Sequence, residues 1–575
     1  MKFIFSAQRI LSAVPVALCF TFVALTAGPL PAATAPAKEI PLTEVATMAV
    51  TEGSPFYPAN RDVVNPSKKN PDKAVGTWNW ETAEKYDVTA FPSEASPWKD
   101  KGEIEKLISS MPALLDCDPK TMKAHPAAAD FPGVPKGDVE LVERTVEIDP
   151  SITGWHSLGL WAPPGAQIQV EMLSKTKYPV TLRIGSQTDF LAMNFLETHH
   201  EGVLKRMPRL TNSVQIGGEE LKKRKFTVAN PFGGLIYIDI GRLNSKKSKL
   251  VHVKISGAAP SPLYIYEPGN KERQTTKEDW AEQMKKYNAP WGEIRTPRLI
   301  FTLPTAFLKD IKKKNMNAIC KQLQTGMAME DWIVAWDLVP EKISQPMRFV
   351  VDRQIILGWG HSGYPAMGYM PWGNCIRDSS IIKAGSWGLW HELGHNHQMQ
   401  TPYFWIDGYD ITEVTVNVFS TIAQVYGCDV PYEAAWEGGG IDEKTMAPGV
   451  LEFLDSSEKY ANSSNATAKL YFYIELMREL GYDTFRAVGV KYQTKPKLDG
   501  STSPQERWDW FLTELSAAAD KNLGPYFKAW KIDVSDHALA KAAKHPEWDY
   551  LKDYPEQIRK ALKKKKTKKH SKKKK

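Results

Sequence analysis

Three textures of apolar and polar positions follow one another along the chain. Between residues 149 and 265 the apolar positions fall in short runs at 155–162, 179–184, 225–228, 234–240 and 250–255, with alternation over 167–172. Turn residues separate them, most plainly Pro163-Pro164-Gly165. Short runs and alternation bounded by turns predict strands, and a series of them predicts a β-sandwich. From 266 to 430 the pattern is mixed. A polar linker at 267–276 leads to a helix whose start carries Thr275 and Glu278 at capping-box spacing. Residues 299–302 and 349–357 then read as strands. Beyond 430 helical spacing dominates, with amphipathic stretches at 466–480 and 506–519 and a continuation at 523–530. Upstream, 38–148 is rich in Pro, Ala, Lys and Asp, and its clearest element is a helix at 101–115. The pattern predicts a multidomain α+β chain: a leading module at 38–148, a β-sandwich accessory domain at 149–265, a mixed core at 266–430 and a mainly helical subdomain at 431–558.

The two ends change that picture. Lys2 and Arg9 precede an apolar run from residue 10 to 27, and small residues around Ala33, Ala35 and Ala37 follow. This is the layout of a cleaved secretory signal, so residues 1–37 are expected to be removed and the chain exported. No other stretch is long and apolar enough for a second span, and no stable transmembrane segment is expected after cleavage. The net charge of +8 is concentrated at the other end, where residues 559–575 hold twelve Lys or Arg and no acid. Setting those aside leaves 62 basic against 66 acidic residues, a net of −4, and removing Lys2 and Arg9 brings the body to −6. The body is mildly acidic and offers no basis for nucleic acid binding. The lysine-rich tail reads as a disordered polycation suited to anionic surfaces or glycans, or simply to solubility. Of the five cysteines, Cys117, Cys320, Cys375 and Cys428 survive signal removal, widely scattered and without paired metal spacing. A monomer is expected.

The chemistry concentrates in His391-Glu392-Leu393-Gly394-His395, with Glu413 eighteen positions further on. Residues four apart share a helix face, so His391 and His395 can turn both imidazoles toward one ion. Glu392 lies about 100° around the helix, badly placed as a ligand and well placed to reach a water molecule on the metal. An open catalytic zinc needs three protein ligands. Glu413 is the expected third, on a helix read at 411–424 from Val414, Val418 and Ile422, with Asp410 as its cap and Pro402 and Gly408 in the intervening turn. Ser386 is the expected N-cap of the motif helix, with Trp387, Trp390 and Leu393 packed around its metal-facing side. His397 should point away from the ion. The pattern predicts one Zn2+, with His391, His395 and Glu413 as ligands and Glu392 as the base. An oxyanion donor is also needed, and His361, Tyr364, Tyr403 and Tyr409 are the candidates. Trp359 and the other aromatic residues near the motif offer faces for substrate or sugar rings.

Taken together, Gly358-Trp359-Gly360-His361-Ser362-Gly363-Tyr364-Pro365, then Trp390-His391-Glu392-Leu393-Gly394-His395-Asn396-His397-Gln398, then Thr412-Glu413-Val414-Thr415 with Asn417, resemble the enhancin-like zinc metallopeptidases of the gluzincin type. The resemblance covers roughly residues 150–560. It implies a zincin-like catalytic core at 266–430 behind an accessory domain, with His391, His395 and Glu413 as zinc ligands and Glu392 as catalytic base. It further implies hydrolysis of heavily O-glycosylated, mucin-type proteins by an enzyme secreted to the periplasm or outer surface of a bacterium. Two other readings stand beside it: a broad zinc endopeptidase indifferent to sugar, and a non-catalytic glycan- or surface-binding protein whose zinc is structural.

Overall fold

The computed structural model describes residues 90–560, apart from 136, 242–248, 312–314, 344, 378–385, 405, 407–410, 439–442, 496–497, 500, 552–555 and 557. The expected signal segment, residues 561–575 of the lysine-rich tail, Trp405, Tyr409 and Asp410 lie outside the described residues. Contacts divide the described residues into two units, one holding 90–397 with 422–430, the other 398–421 with 431 onward.

The first unit opens on helix α1 (Lys101–Leu115), as predicted, capped by Asp100. A β domain follows, with strands β1 (Val142–Ile148), β2 (Gly154–Ala162), β3 (Ile168–Met172) and β4 (Val180–Ile184), helix α2 (Met193–His199), then β5 (Asn212–Gly217), β6 (Lys225–Val228), β7 (Gly234–Ile240) and β8 (Val251–Pro260). Strand β8 joins two sheets. Residues 251–258 pair antiparallel with β1 and, over 253–256, with β3, and the last two residues pair with β2, which continues through β7 and β4 to β5. One apolar core, including Leu160, Val170, Leu182, Ile238 and Val253, draws on both sheets, which makes the domain a sandwich with a sheet-switching strand. Every residue of β7 is buried, so the strand reads as a continuous apolar run rather than an alternation. Residues 142–148, assigned from sequence to the leading module, pair with β8 over their whole length.

A separate six-stranded sheet in this unit contains β9 (Leu263–Ile265), β10 (Trp291–Arg295), β11 (Leu299–Pro304), β12 (Met347–Asp352), β13 (Gly360–His361) and β14 (Ala366–Tyr369), in the order β13-β14-β12-β11-β10-β9. Strands β11, β12 and β14 are parallel, while β10 and β13 run antiparallel to β11 and β14. Between them lie α3 (Lys277–Lys286), α4 (Thr305–Asp310) and the long α5 (Met316–Ile333); α6 (Trp387–Gln398) follows the sheet. The capping box of α3 is Thr276 with Asp279 rather than Thr275 with Glu278, because the Thr275 hydroxyl accepts the N–H of Ile265. The strand expected to run to residue 357 stops at Asp352, whose buried carboxylate is held bidentately by Arg206.

The second unit begins with the last residue of α6 and holds α7 (Thr412–Ile422) except for its final residue, followed by α8 (Tyr432–Gly438), α9 (Glu443–Asp455), α10 (Ala466–Leu480), α11 (Tyr482–Thr494), α12 (Pro504–Ala519), α13 (Gly524–Ala529) and α14 (Asp536–Ala542). Its core is aromatic: Phe472, Trp508, Phe511, Phe527 and Trp530 stack on or edge against one another. Cys117, Cys320, Cys375 and Cys428 are all free thiols. Among the described residues no helix is long and apolar enough to cross a membrane.

Candidate metal centre

Helix α6 is built around its two histidines. The Ser386 carbonyl accepts the Trp390 N–H and its hydroxyl accepts the indole N–H, so Ser386 opens the helix as expected. Trp387 leans on His391, ring centroids 4.6 Å apart, and the His391 and His395 rings stand edge to face at 4.7 Å. Trp390 does not share that face. Its indole packs into Gly326 of α5, where an added Cβ would come within 2.4 Å of the ring. The reason is helix geometry, since one residue of rotation carries Trp390 about 100° from His391.

His397 pins the helix from behind. Nε2 lies 3.0 Å from Asp331 and Nδ1 3.2 Å from Glu330, both on α5, and the ring packs at a tilt against Trp336, centroids 4.5 Å apart. Burial disfavours the imidazolium, but these two carboxylates outweigh it and pull the group up to about 9. Asp331 is held in turn by both arms of Arg298. The sequence reading missed α5, yet Met316, Ile319, Cys320, Leu323 and Met327 have helical spacing, with Glu330 continuing the same stripe.

In the other unit Gln398, the last residue of α6, donates from Nε2 to the carbonyl of Thr412 and to the hydroxyl of Thr415, both at 2.7 Å. Thr415 itself donates to the Phe404 carbonyl. These bonds tie the first turn of α7, which carries Glu413, to the end of the histidine helix. A ligand atom from each of His391, His395 and Glu413 lies within 4.8 Å of the others. The two histidines are buried and Glu413 is exposed. Two neutral imidazoles and one carboxylate are a donor set suited to zinc with an open position, so the residues fit the ion that the sequence predicts.

The other candidates fare differently. Gly360, in edge strand β13, lies against Glu392: a Cβ there would sit 2.9 Å from Glu392 Cγ and 2.7 Å from the Trp372 ring. Trp359 is 61% exposed, edge-on to Tyr369, and leaves a ring face to solvent beside that strand. His361 has Nε2 2.9 Å from Asp189 and Nδ1 2.8 Å from the Ser362 carbonyl. Burial opposes its charge and Asp189 restores it, up to about 9. With both nitrogens engaged it has no N–H to aim at an oxyanion. The Tyr364 hydroxyl accepts the Trp155 N–H from the β domain, and its ring packs edge-on to that indole. Tyr403 is fully buried among Tyr492, Trp510 and Phe511, and burial drives its hydroxyl well above the ordinary tyrosine range. Tyr364 and Tyr403 therefore serve packing, and Tyr409 lies outside the described residues.

Residues 257–531 match the family model for peptidase M60, enhancin and enhancin-like, and residues 138–256 match the N-terminal domain of M60-like peptidases. The chain belongs to the enhancin-like M60 peptidase family. An N-terminal β domain, a mixed catalytic domain and a helical C-terminal part are the M60 arrangement, also seen in the IMPa metallopeptidase from Pseudomonas aeruginosa. That structure matches with a TM-score of 0.54 at 15% identity, over 80% of this chain and 57% of the other. IMPa in complex with T-antigen gives 0.52 at 18%, over 82% and 58%. At such identities the likeness is one of fold. TRPM8 channel-associated factor 2 from Homo sapiens is 30% identical over 413 residues, 70% of this chain and 41% of the relative. The chain spans about two fifths of the length of the curated relatives it matches.

Proposed function

We propose that this M60 chain is an exported zinc endopeptidase that hydrolyses peptide bonds in O-glycosylated, mucin-type proteins. The observation that carries the proposal is the convergence of His391, His395 and Glu413 on one point with Glu392 beside the two histidines. Zinc held by these three residues would supply Lewis acidity at the scissile carbonyl and at the attacking water. Glu392 takes the proton from that water and returns it to the leaving amine. The backbone of β13, at the open edge of its sheet and against Glu392, aligns an extended substrate by strand pairing. Trp359 beside it gives a sugar ring a face to stack on. The preference for O-glycosylated substrates rests on the family and on the fold shared with a metallopeptidase that binds T-antigen. Residues 1–37 direct export to the periplasm or outer surface, the lysine-rich tail holds the monomeric enzyme near anionic surfaces, and nucleic acid is not a partner.

A second reading has one observation in its favour, since a curated relative is named as a channel-associated factor. On that reading the chain is a binding protein with structural zinc, and Glu392 has no task. Incubating the purified mature protein with casein and with a mucin-type glycoprotein, with and without chelator, separates the readings. Chelator-sensitive fragmentation of the glycoprotein alone is the expected result. Equal cutting of casein points to a broad peptidase, and no cutting of either to the binding protein.

A further inference from the structure

Edge strand β13 is held down from two sides. From below, Asn396 on α6 accepts the Gly363 N–H and donates to the Gly363 carbonyl, both at 3.0 Å. From the β domain comes Asp189, buried in the segment between β4 and α2. One oxygen of Asp189, Oδ2, accepts both the backbone N–H of Ile356 at 2.8 Å and the His361 ring at 2.9 Å. That carboxylate therefore gathers both ends of the segment 356–361 at a single atom. Its own backbone is fixed too, since the Asp189 carbonyl accepts from Arg206, and Arg206 is paired bidentately with Asp352 at the end of β12. Next to His361 in the gathered segment stands Gly360. Lacking a side chain, it lets the strand backbone lie directly on Glu392 Cγ and the Trp372 ring.

We propose that Asp189 is a positioning residue for the hydrolysis proposed above, holding the Gly360 backbone through His361 so that it forms one wall of the Glu392 side chain. The proposal rests on that functional reading and extends it: the N-terminal domain completes the active site. An ordered wall limits the rotamers open to Glu392 and keeps the substrate-pairing edge in register. When the tie is lost, segment 356–361 loosens, while α6 remains anchored through His397 to Asp331 and Glu330.

The test is Asp189→Asn in the full mature chain. Expected is a fall in kcat of between about tenfold and a hundredfold, with zinc content unchanged. Hydrogen–deuterium exchange should quicken over residues 356–363 and stay as in the wild type over 387–397. Should that variant fold poorly, Asp189→Asn combined with His361→Gln leaves no buried charge unpaired and is read the same way. Wild-type kcat, unchanged exchange at 356–363, or equal loss of protection in α6 each overturns the proposal. A wild-type protein that cuts neither casein nor glycoprotein defeats the functional reading instead, and the exchange measurement then decides alone whether Asp189 orders the strand.

Discussion

Replacing Glu392 by glutamine is expected to leave one zinc per chain in place and to remove nearly all hydrolysis. The amide keeps the length and shape of the side chain, so the contacts with Gly360 and the packing of α6 persist. The change removes the one property that the proposed chemistry needs, a carboxylate able to take a proton from water and pass it to the amine. General-base catalysis is worth about 10²–10⁴ in rate, and a fall of that size in kcat with full metal occupancy is the expected signature. Glu413→Ala should show the opposite order, losing metal first and activity as a consequence. Turnover together with metal analysis of the purified variants checks both. Near-wild-type turnover in Glu392→Gln would mean that another group is the base, and full occupancy in Glu413→Ala would remove Glu413 from the ligand set.

The second large effect is expected at a glycine far from any substrate. Gly326, midway along α5, is where the back of the histidine helix and the continuation of α7 both come close. A Cβ there would stand 2.4 Å from the Trp390 ring. The turn at 423–427 that continues α7 arrives from another side, with Gly427 so near that its own added Cβ would lie 2.5 Å from Gly326 Cα. Thr325 seals the contact by donating to the Gly427 carbonyl. Trp390 is fully buried and its indole N–H is committed to Ser386, so the ring has nowhere to swing. Gly326→Ala must therefore push α6 and α5 apart. Overpacking of this kind costs about 1–3 kcal/mol, and here the displaced helix carries two of the three proposed ligands. A lower thermal midpoint and weaker zinc binding by competitive chelation are expected together. Unchanged values for both would show that the junction yields without moving the helix.

How much could be read from the sequence depended on distance along the chain. The His391 and His395 pair is a matter of helical spacing, and Glu413 follows from counting the ligands that an open zinc site needs; both are local arguments, and the three ligand atoms do come together. Six of the eight strands of the β domain were legible for the same reason, with turn residues marking their ends, while β1 was assigned to the leading module and β5 was not read as a strand. The tandem Thr275-Thr276 before Glu278-Asp279 offered two registers for one capping box, and a strand hydrogen bond to Thr275 selects the other one. Helix α5 was obscured by Glu330 and Asp331, polar residues on a buried stripe, which are there because His397 needs counter-charges. Tyr403 looked like a site residue only because it follows the motif closely; the aromatic core of α11 and α12 claims it. The tie between Asp189 and His361 spans 172 positions, and no local pattern announces such a pair.

The central question is whether the chain cuts a peptide bond beside a sugar with a metal that His391, His395 and Glu413 hold. Mass spectrometry of one synthetic Ser/Thr peptide, prepared bare, with a single GalNAc and with an extended core glycan, measures this directly in the presence and absence of chelator. The expected result is a single cleavage next to the glycosylated residue, absent from the bare peptide and abolished by chelator. Equal cutting of bare and glycosylated forms would contradict the glycan requirement, and cleavage that survives complete removal of metal would contradict the zinc peptidase itself.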